Sequence, residues 1–291
     1  MDVTDGIRRQ PRSTVVSIGN FDGVHIGHRR VVEELRREAA SRGLESVVLT
    51  FDRHAASVVR PERAPRLLTG AAHKLELLVA TGVDEVVILT FDARRAAEPA
   101  EDFVRTVLVG QLGAAEVLVG ENFRFGHRQQ GDVALLEEMG VELGFRARAM
   151  PLVVDDERHE VVSSTRIRHL VAAADLDAAA RLLARPHEVR GRLERDGRSV
   201  RLALDPELLT PPSGLYAGTL GPPGDAGVPV LARVEAPEAR HAPARIEVVP
   251  DGDGSAPGDL VGAGEVALRF ASVVEGAVPG RQLSGSAEQP R

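Results

Sequence analysis

The chain has 291 residues, 43% of them hydrophobic, which is ample for one or two domains with buried cores. It contains no cysteine, which excludes disulfides, thiolate metal sites and a cysteine nucleophile, and its net charge of −7 offers no basic face to nucleic acid. No apolar run reaches the ~18 residues of a membrane helix, and the opening MDVTDGIRRQPRST has no hydrophobic signal core, so a cytoplasmic protein is expected.

The first apolar run, TVVSIG from Thr14, leads into a glycine-containing turn and then a helical pattern over about residues 26–42. SVVLTF, DEVVILTF and EVLVGE follow as further β-rich runs, with helical stretches expected near 71–82, 100–112 and 130–142. Apolar strands buried on both faces and separated by helices imply a doubly wound parallel α/β sheet of Rossmann type. Two more helices are expected at about 164–173 and 175–184. The chain then changes character. Thirteen of the 18 prolines lie from Pro186 onward, and seven of the eight phenylalanines lie before residue 146. Short runs, HEVRGRL, SVRLAL, GLYAGTL, PVLARVE, ARIEVVP and EVALRFASVV, are divided by Gly and Pro and predict a small antiparallel β domain or barrel. The expected divisions are an extension at 1–13, an α/β domain at 14–186, a β domain at 187–275 and a disordered tail at 276–291.

The chemistry concentrates in GNFDGVHIGH, Gly19 to His28. With a helix starting near Val24 or Ile26, His25 and His28 share one face of its first turn. Unpaired backbone N–H groups and the helix dipole make that end attractive to an anion. Gly19, Gly23 and Gly27 remove side chains where the chain turns and let a polyphosphate approach the backbone. An ordinary strand, turn and helix with solvated histidines is the plainer alternative. The tetrad HIGH and the flanking Asn20, Phe21 and Asp22, directly after a strand, favour phosphate binding.

This segment resembles the HxGH nucleotidyltransferases, and in particular the bacterial bifunctional riboflavin kinase/FMN adenylyltransferases, the FAD synthetases. The likeness continues through TFDRHAASVVRPERAPRLLT (Thr50 to Thr69), KLELLVATGVDEVVILTFD (Lys74 to Asp92), the stretch from Glu101 to Asp132, and VSSTRIRHL (Val162 to Leu170). It covers about residues 14–187, roughly 60% of the chain. The resemblance implies transfer of AMP from ATP to FMN, giving FAD and pyrophosphate, with magnesium carried by the nucleotide phosphates and no protein metal ligands assigned. His25 and His28 would then contact the ATP phosphates, and Asn20 a phosphate or the ribose. Asp22 is the nearest acidic side chain, and turn formation explains it equally. Ser163, Ser164, Thr165 and Arg166 would clamp the β and γ phosphates, with Arg166 carrying the charge. Hydroxyls ahead of a helix are also plain N-caps, and the two roles are compatible. Asn122 and Phe125, in NFRFGHRQQGD, would border the flavin and adenine, although Phe125 serves equally as a core anchor.

Two departures stand out. The family's FDPHP is FDRHA here, with Arg53 and Ala55 in place of both prolines, which leaves open a modified flavin or another phosphorylated acceptor. In the β region the family's Pro-Thr-Ala-Asn tetrad is absent, although Gly214, Leu215 and Tyr216 match the strand that follows it and Glu247 lies near the expected acidic base. A degenerate kinase domain is the expectation. A non-catalytic flavin-nucleotide-binding protein is the third reading, and the intact phosphate motifs speak against it. Oligomeric state has no signature in the sequence.

Overall fold

The computed structural model describes residues 13–197, 199–237, 239, 242–251 and 257–276. The expected extension at 1–13 and tail at 276–291 therefore lie, except for one residue each, outside the described residues. The described residues form two compact units, one up to residue 167 with 182–184, the other 168–181 with those from 185 onward.

In the first unit, β1 (Thr14–Ile18), α1 (Ile26–Arg42), β2 (Glu45–Phe51), α2 (Ala56–Val59), α3 (Ala71–Val79), β3 (Glu85–Leu89), α4 (Ala93–Ala96) and α5 (Ala100–Phe103) follow one another. A π-helix (Val104–Gln111), β4 (Ala114–Gly120), α6 (Val133–Leu143) and β5 (Arg146–Met150) complete the layers. The five strands are parallel in the order β3-β2-β1-β4-β5. The order reverses beside β1, so β1 and β4 part at the switch point where doubly wound sheets open a crevice beyond their strand ends.

Strand alternation explains why both faces are apolar. Val15, Val48, Val86 and Leu118 pack under α1 and α3 against Val32, Leu35 and Leu78, while Val16, Val47, Val87 and Val117 face Phe103, Leu108, Leu136 and Met139. Each such fully buried aliphatic side chain contributes on the order of 1.5–3 kcal/mol. Helix α1 ends where Gly43 takes φ 63° and its N–H reaches back to Ala39 and Ala40. α6 begins at Asp132, whose carboxylate accepts from the Leu135 amide at 3.1 Å.

Three elements differ from the periodicity. β5, RARAM, has no apolar run because it is the sheet's edge strand and lies only half buried. The helix expected at 100–112 is a short α segment followed by an eight-residue π-helix. The helix expected at 71–82 stops at Val79, ahead of Gly82 with φ 77°.

Helix α7 (Ser164–Ala172) starts in the first unit and ends in the second, which continues with α8 (Leu176–Leu183). Then come β6 (His187–Asp196), β7 (Ser199–Leu204), β8 (Gly214–Gly221), β9 (Val228–Glu235), β10 (Arg245–Pro250) and β11 (Glu265–Gly276). They close an antiparallel barrel in the order β10-β7-β6-β11-β8-β9, so every expected β run is a strand. Alternate residues, among them Leu202, Tyr216, Val230, Ile246 and Phe270, fill the interior. Tyr216 meets Phe270 edge-on at 5.7 Å, and its hydroxyl donates to the Pro212 carbonyl at 2.7 Å.

Candidate active site

The turn after β1 is held in a conformation that its own residues resist. Phe21 and Val24 sit at φ 49° and 39°, where non-glycine residues are uncommon, and Gly23 at 81°. Contacts from a second segment hold it there. The buried Asp22 carboxylate accepts from the Leu68 amide at 3.0 Å and from the Thr69 amide and hydroxyl at 3.1 and 3.2 Å, while the Gly23 amide donates to the Thr69 hydroxyl at 3.1 Å. A Cβ on Gly23 would lie 2.9 Å from Leu68 Cδ1, so space and backbone both demand glycine.

His25 is the N-cap of α1, and its Nδ1 accepts from the His28 amide at 3.3 Å. That bond leaves Nδ1 unprotonated and places the neutral ring's proton on Nε2. The two imidazoles stack at 3.6 Å with 18° between their planes. Gly27 makes room for them, because a Cβ there would lie 3.1 Å from His25 Nδ1. Burial, then the neighbouring His25 and the Lys74 charge, hold His28 well below the ordinary imidazole range. Its ring is therefore neutral at pH 7, with a buried Nδ1 that meets no partner among the described residues.

The serine segment joins this turn. The Ser164 hydroxyl donates to the Asp22 carbonyl at 2.8 Å across 142 residues of sequence. Ser163 caps α7, its hydroxyl accepting from the Arg166 amide at 3.1 Å, so the plain capping role is present. Thr165 is exposed, and Arg166 forms an ion pair with Glu160. The HIGH and SSTR segments thus meet at the C-terminal end of β1.

Asn122 lies exposed just beyond the C-terminal end of β4. Phe125 is 9% exposed and packs in the sheet–helix core, stacked on Phe123 at 5.4 Å and near Phe103 at 5.9 Å.

Beyond β1 and β2 the surface dips into a small, solvent-open cleft whose walls include Asn20, Asp52, Arg53, His54 and Lys74. His54 Nδ1 accepts from the Ala56 amide at 3.1 Å, closing the start of α2. Burial pushes the Asp52 carboxyl up, but the Phe91 amide at 2.8 Å and the Arg53 guanidinium together hold it below its usual range. Lys74 reaches the cleft from α3, donating to the Phe51 and Asn20 carbonyls at 2.7 and 3.2 Å. Motif reading missed this residue. Its signal was compositional, since Lys74 is the single lysine in a chain whose basic residues are otherwise arginine. Among the described residues, no three His, Cys, Asp or Glu side chains gather as a metal site, and no helix is long and apolar enough to cross a membrane.

The FAD synthetase family model matches residues 7–166, which include the HIGH and SSTR segments. The chain belongs to the FAD synthetase family. Among similar curated members, the bifunctional riboflavin kinase/FMN adenylyltransferase of Pseudomonas fluorescens is 39% identical over 187 residues, 64% of this chain and 59% of that protein. The Escherichia coli K12 protein of the same name is 36% identical over 179 residues, 62% of this chain and 56% of its own. The match thus spans less than two thirds of these relatives' length. A solved structure titled as a macrolide-efflux protein from Streptococcus pneumoniae superposes with a TM-score of 0.76 over 96% of this chain and 90% of that one. At 22% identity it bears on the fold alone.

Proposed function

We propose that the α/β domain, residues 14–186, is an FMN adenylyltransferase. An oxygen of the FMN phosphate attacks the α-phosphorus of ATP. The new P–O bond forms as the bond between the α-phosphorus and the bridging oxygen breaks, and pyrophosphate leaves with the electron pair. Such a transfer needs positioning and charge neutralisation more than protein nucleophiles. The observation that carries this reading is the Ser164–Asp22 hydrogen bond, which unites the two phosphate motifs at the switch point of the sheet.

In this reading the backbone of Gly19, Asn20, Phe21, Asp22, Gly23 and Gly27 lines the triphosphate, and the His25 and His28 rings donate to oxygens that gain charge. Asp22 contributes through the backbone, because its carboxylate is spent on Leu68 and Thr69. Ser163, Ser164, Thr165 and Arg166 hold the β and γ phosphates, Arg166 exchanging Glu160 for phosphate oxygens. Asn122 borders the flavin, and Phe125 supports that loop from the core beneath it. Magnesium would arrive with the triphosphate, where it neutralises phosphate charge. ATP as donor places the reaction in the cytoplasm.

We assign no riboflavin kinase activity to the β domain, residues 187–275. The corresponding stretch, Gly191 to Leu220, contains no Pro-Thr-Ala-Asn tetrad. Glu247 lies between the buried Ile246 and Val248, so its carboxylate faces out of the barrel, where the Ser199 hydroxyl bonds it.

Incubation with magnesium, ATP and FMN tests both statements. FAD and pyrophosphate should form from FMN, with no product from riboflavin and none when CTP replaces ATP. Pyrophosphate released only with another acceptor, or binding without turnover, would overturn the first statement, and FMN made from riboflavin the second.

A further inference from the structure

Lys74 is 8% exposed, and the surface it keeps belongs to the cleft beyond β1 and β2. Two of its three ammonium N–H groups are committed to the Phe51 and Asn20 carbonyls. The third meets no acceptor among the described residues. Phe51 ends β2 and Asn20 follows the end of β1 by two residues, so the ammonium is fixed at the C-terminal edge of the sheet, between the HIGH turn and the FDRHA loop. It lies near enough to His28 for its charge to act on that ring. The groups facing it are Asp22 in the turn, Asp52, Arg53 and His54 beyond β2, and His28 on α1. A buried cation with a spare donor at the mouth of a cleft is matched to a phosphate monoester, whose dianion accepts several charge-assisted bonds.

We infer that Lys74 binds the phosphate of the acceptor and so separates FMN from riboflavin, a selection by the attacking group rather than by the isoalloxazine ring. The inference rests on the adenylyltransferase reading, which supplies a phosphate-bearing acceptor at this edge of the sheet. Burial supports it from a second side, lowering the ammonium of Lys74 to about 8 against the opposing pull of Asp22 and Asp52. Near pH 8 the empty site is thus about half protonated. A phosphate dianion drives it to full protonation, so binding takes up a proton.

Calorimetric titration without ATP reads this directly. FMN and riboflavin are titrated at about pH 8 in two buffers of different ionisation enthalpy, into the full-length wild type, Lys74→Met, Lys74→Arg and Arg53→Ala. Wild type should bind FMN at least ~10-fold more tightly than riboflavin and take up about half a proton with FMN only. Lys74→Met should bind the two flavins equally and take up no proton. Lys74→Arg should retain the preference without proton uptake, and Arg53→Ala should retain both. An FMN preference that survives in Lys74→Met, or that is lost in Arg53→Ala alone, overturns the inference and leaves the adenylyltransferase reading intact. Should Lys74→Met fail to fold, wild type decides by itself, and equal proton uptake with both flavins overturns the inference. Wild type that binds ATP but neither flavin overturns the adenylyltransferase reading and the inference with it.

Discussion

Replacing His28 with alanine separates transition-state stabilisation from structure, because the contacts that hold α1 in place do not involve its ring. The N-cap bond, donated by the His28 backbone amide to His25 Nδ1, survives the substitution. Alanine is the best helix former, and the lost ring contacts are the stack on His25 at 3.6 Å and the tilted contact with Phe21 at 5.0 Å. The fold should therefore lose about 1 kcal/mol or less, visible as a small shift of the urea midpoint. The rate should lose far more. A positioned donor aimed at oxygen that gains charge contributes ~100-fold or more, about 2.7 kcal/mol, and the neutral ring of His28 is suited to donate without carrying its own charge. Steady-state FAD formation at saturating FMN, with ATP varied, measures both constants. kcat should fall ~100-fold with KM for ATP nearly unchanged. An unchanged kcat with a raised KM would show that His28 only binds the ground state, and would refute the transition-state role.

The remaining expectations test the supports of the same site. Gly23→Ala places a methyl at φ 81° and 2.9 Å from Leu68, so the urea midpoint should report a loss of about 2 kcal/mol or more. Ser164→Ala removes the bond to the Asp22 carbonyl. About 1 kcal/mol of stability and a several-fold rise in KM for ATP should follow, and an unaltered KM would leave Ser164 a structural residue only. For Lys74, the folded ammonium titrates near 8 and the unfolded one near 10.4, so between those values the unfolded chain binds more protons and stability rises with pH. The stability difference between wild type and Lys74→Met should thus move by about 2.5 kcal/mol in favour of wild type from pH 8 to pH 10.4, and a flat difference would place the lysine in water. His28, held low, works in the same direction in acid. Its contribution is complete above the ordinary imidazole pKa of about 6.5 and is lost as pH falls below it, which His28→Ala should abolish in acid unfolding curves.

The parallel sheet was legible because its strands are buried on both faces and so are written as unbroken apolar runs. β5 was not, since an edge strand needs no such run, and RARAM hides its pairing with β4 behind alternate arginines. Arg148 explains part of that pattern. It reaches the buried Glu116 at 3.3 Å and Glu34 at 3.0 Å, tying the edge of the sheet to α1 through charge rather than apolar contact. The barrel was legible for the opposite reason to the sheet. Its strands have one buried face, and alternation with Gly and Pro breaks leaves a period of two that no helix shares.

For the site, a motif names residues that meet the ligand and stays silent on those that hold them. GNFDGVHIGH and SSTRIR could be read from spacing. Their union through Ser164 and the Asp22 carbonyl could not, because it spans 142 residues and uses a main-chain atom that every residue type carries. Thr69 was hidden in the same way, as its hydroxyl serves the Gly23 amide and the Asp22 carboxylate from 46 to 47 residues away. Lys74 differs from both. Its ammonium sets two donors on the Phe51 and Asn20 carbonyls and keeps a third for the cleft, an arrangement that no motif spacing announces.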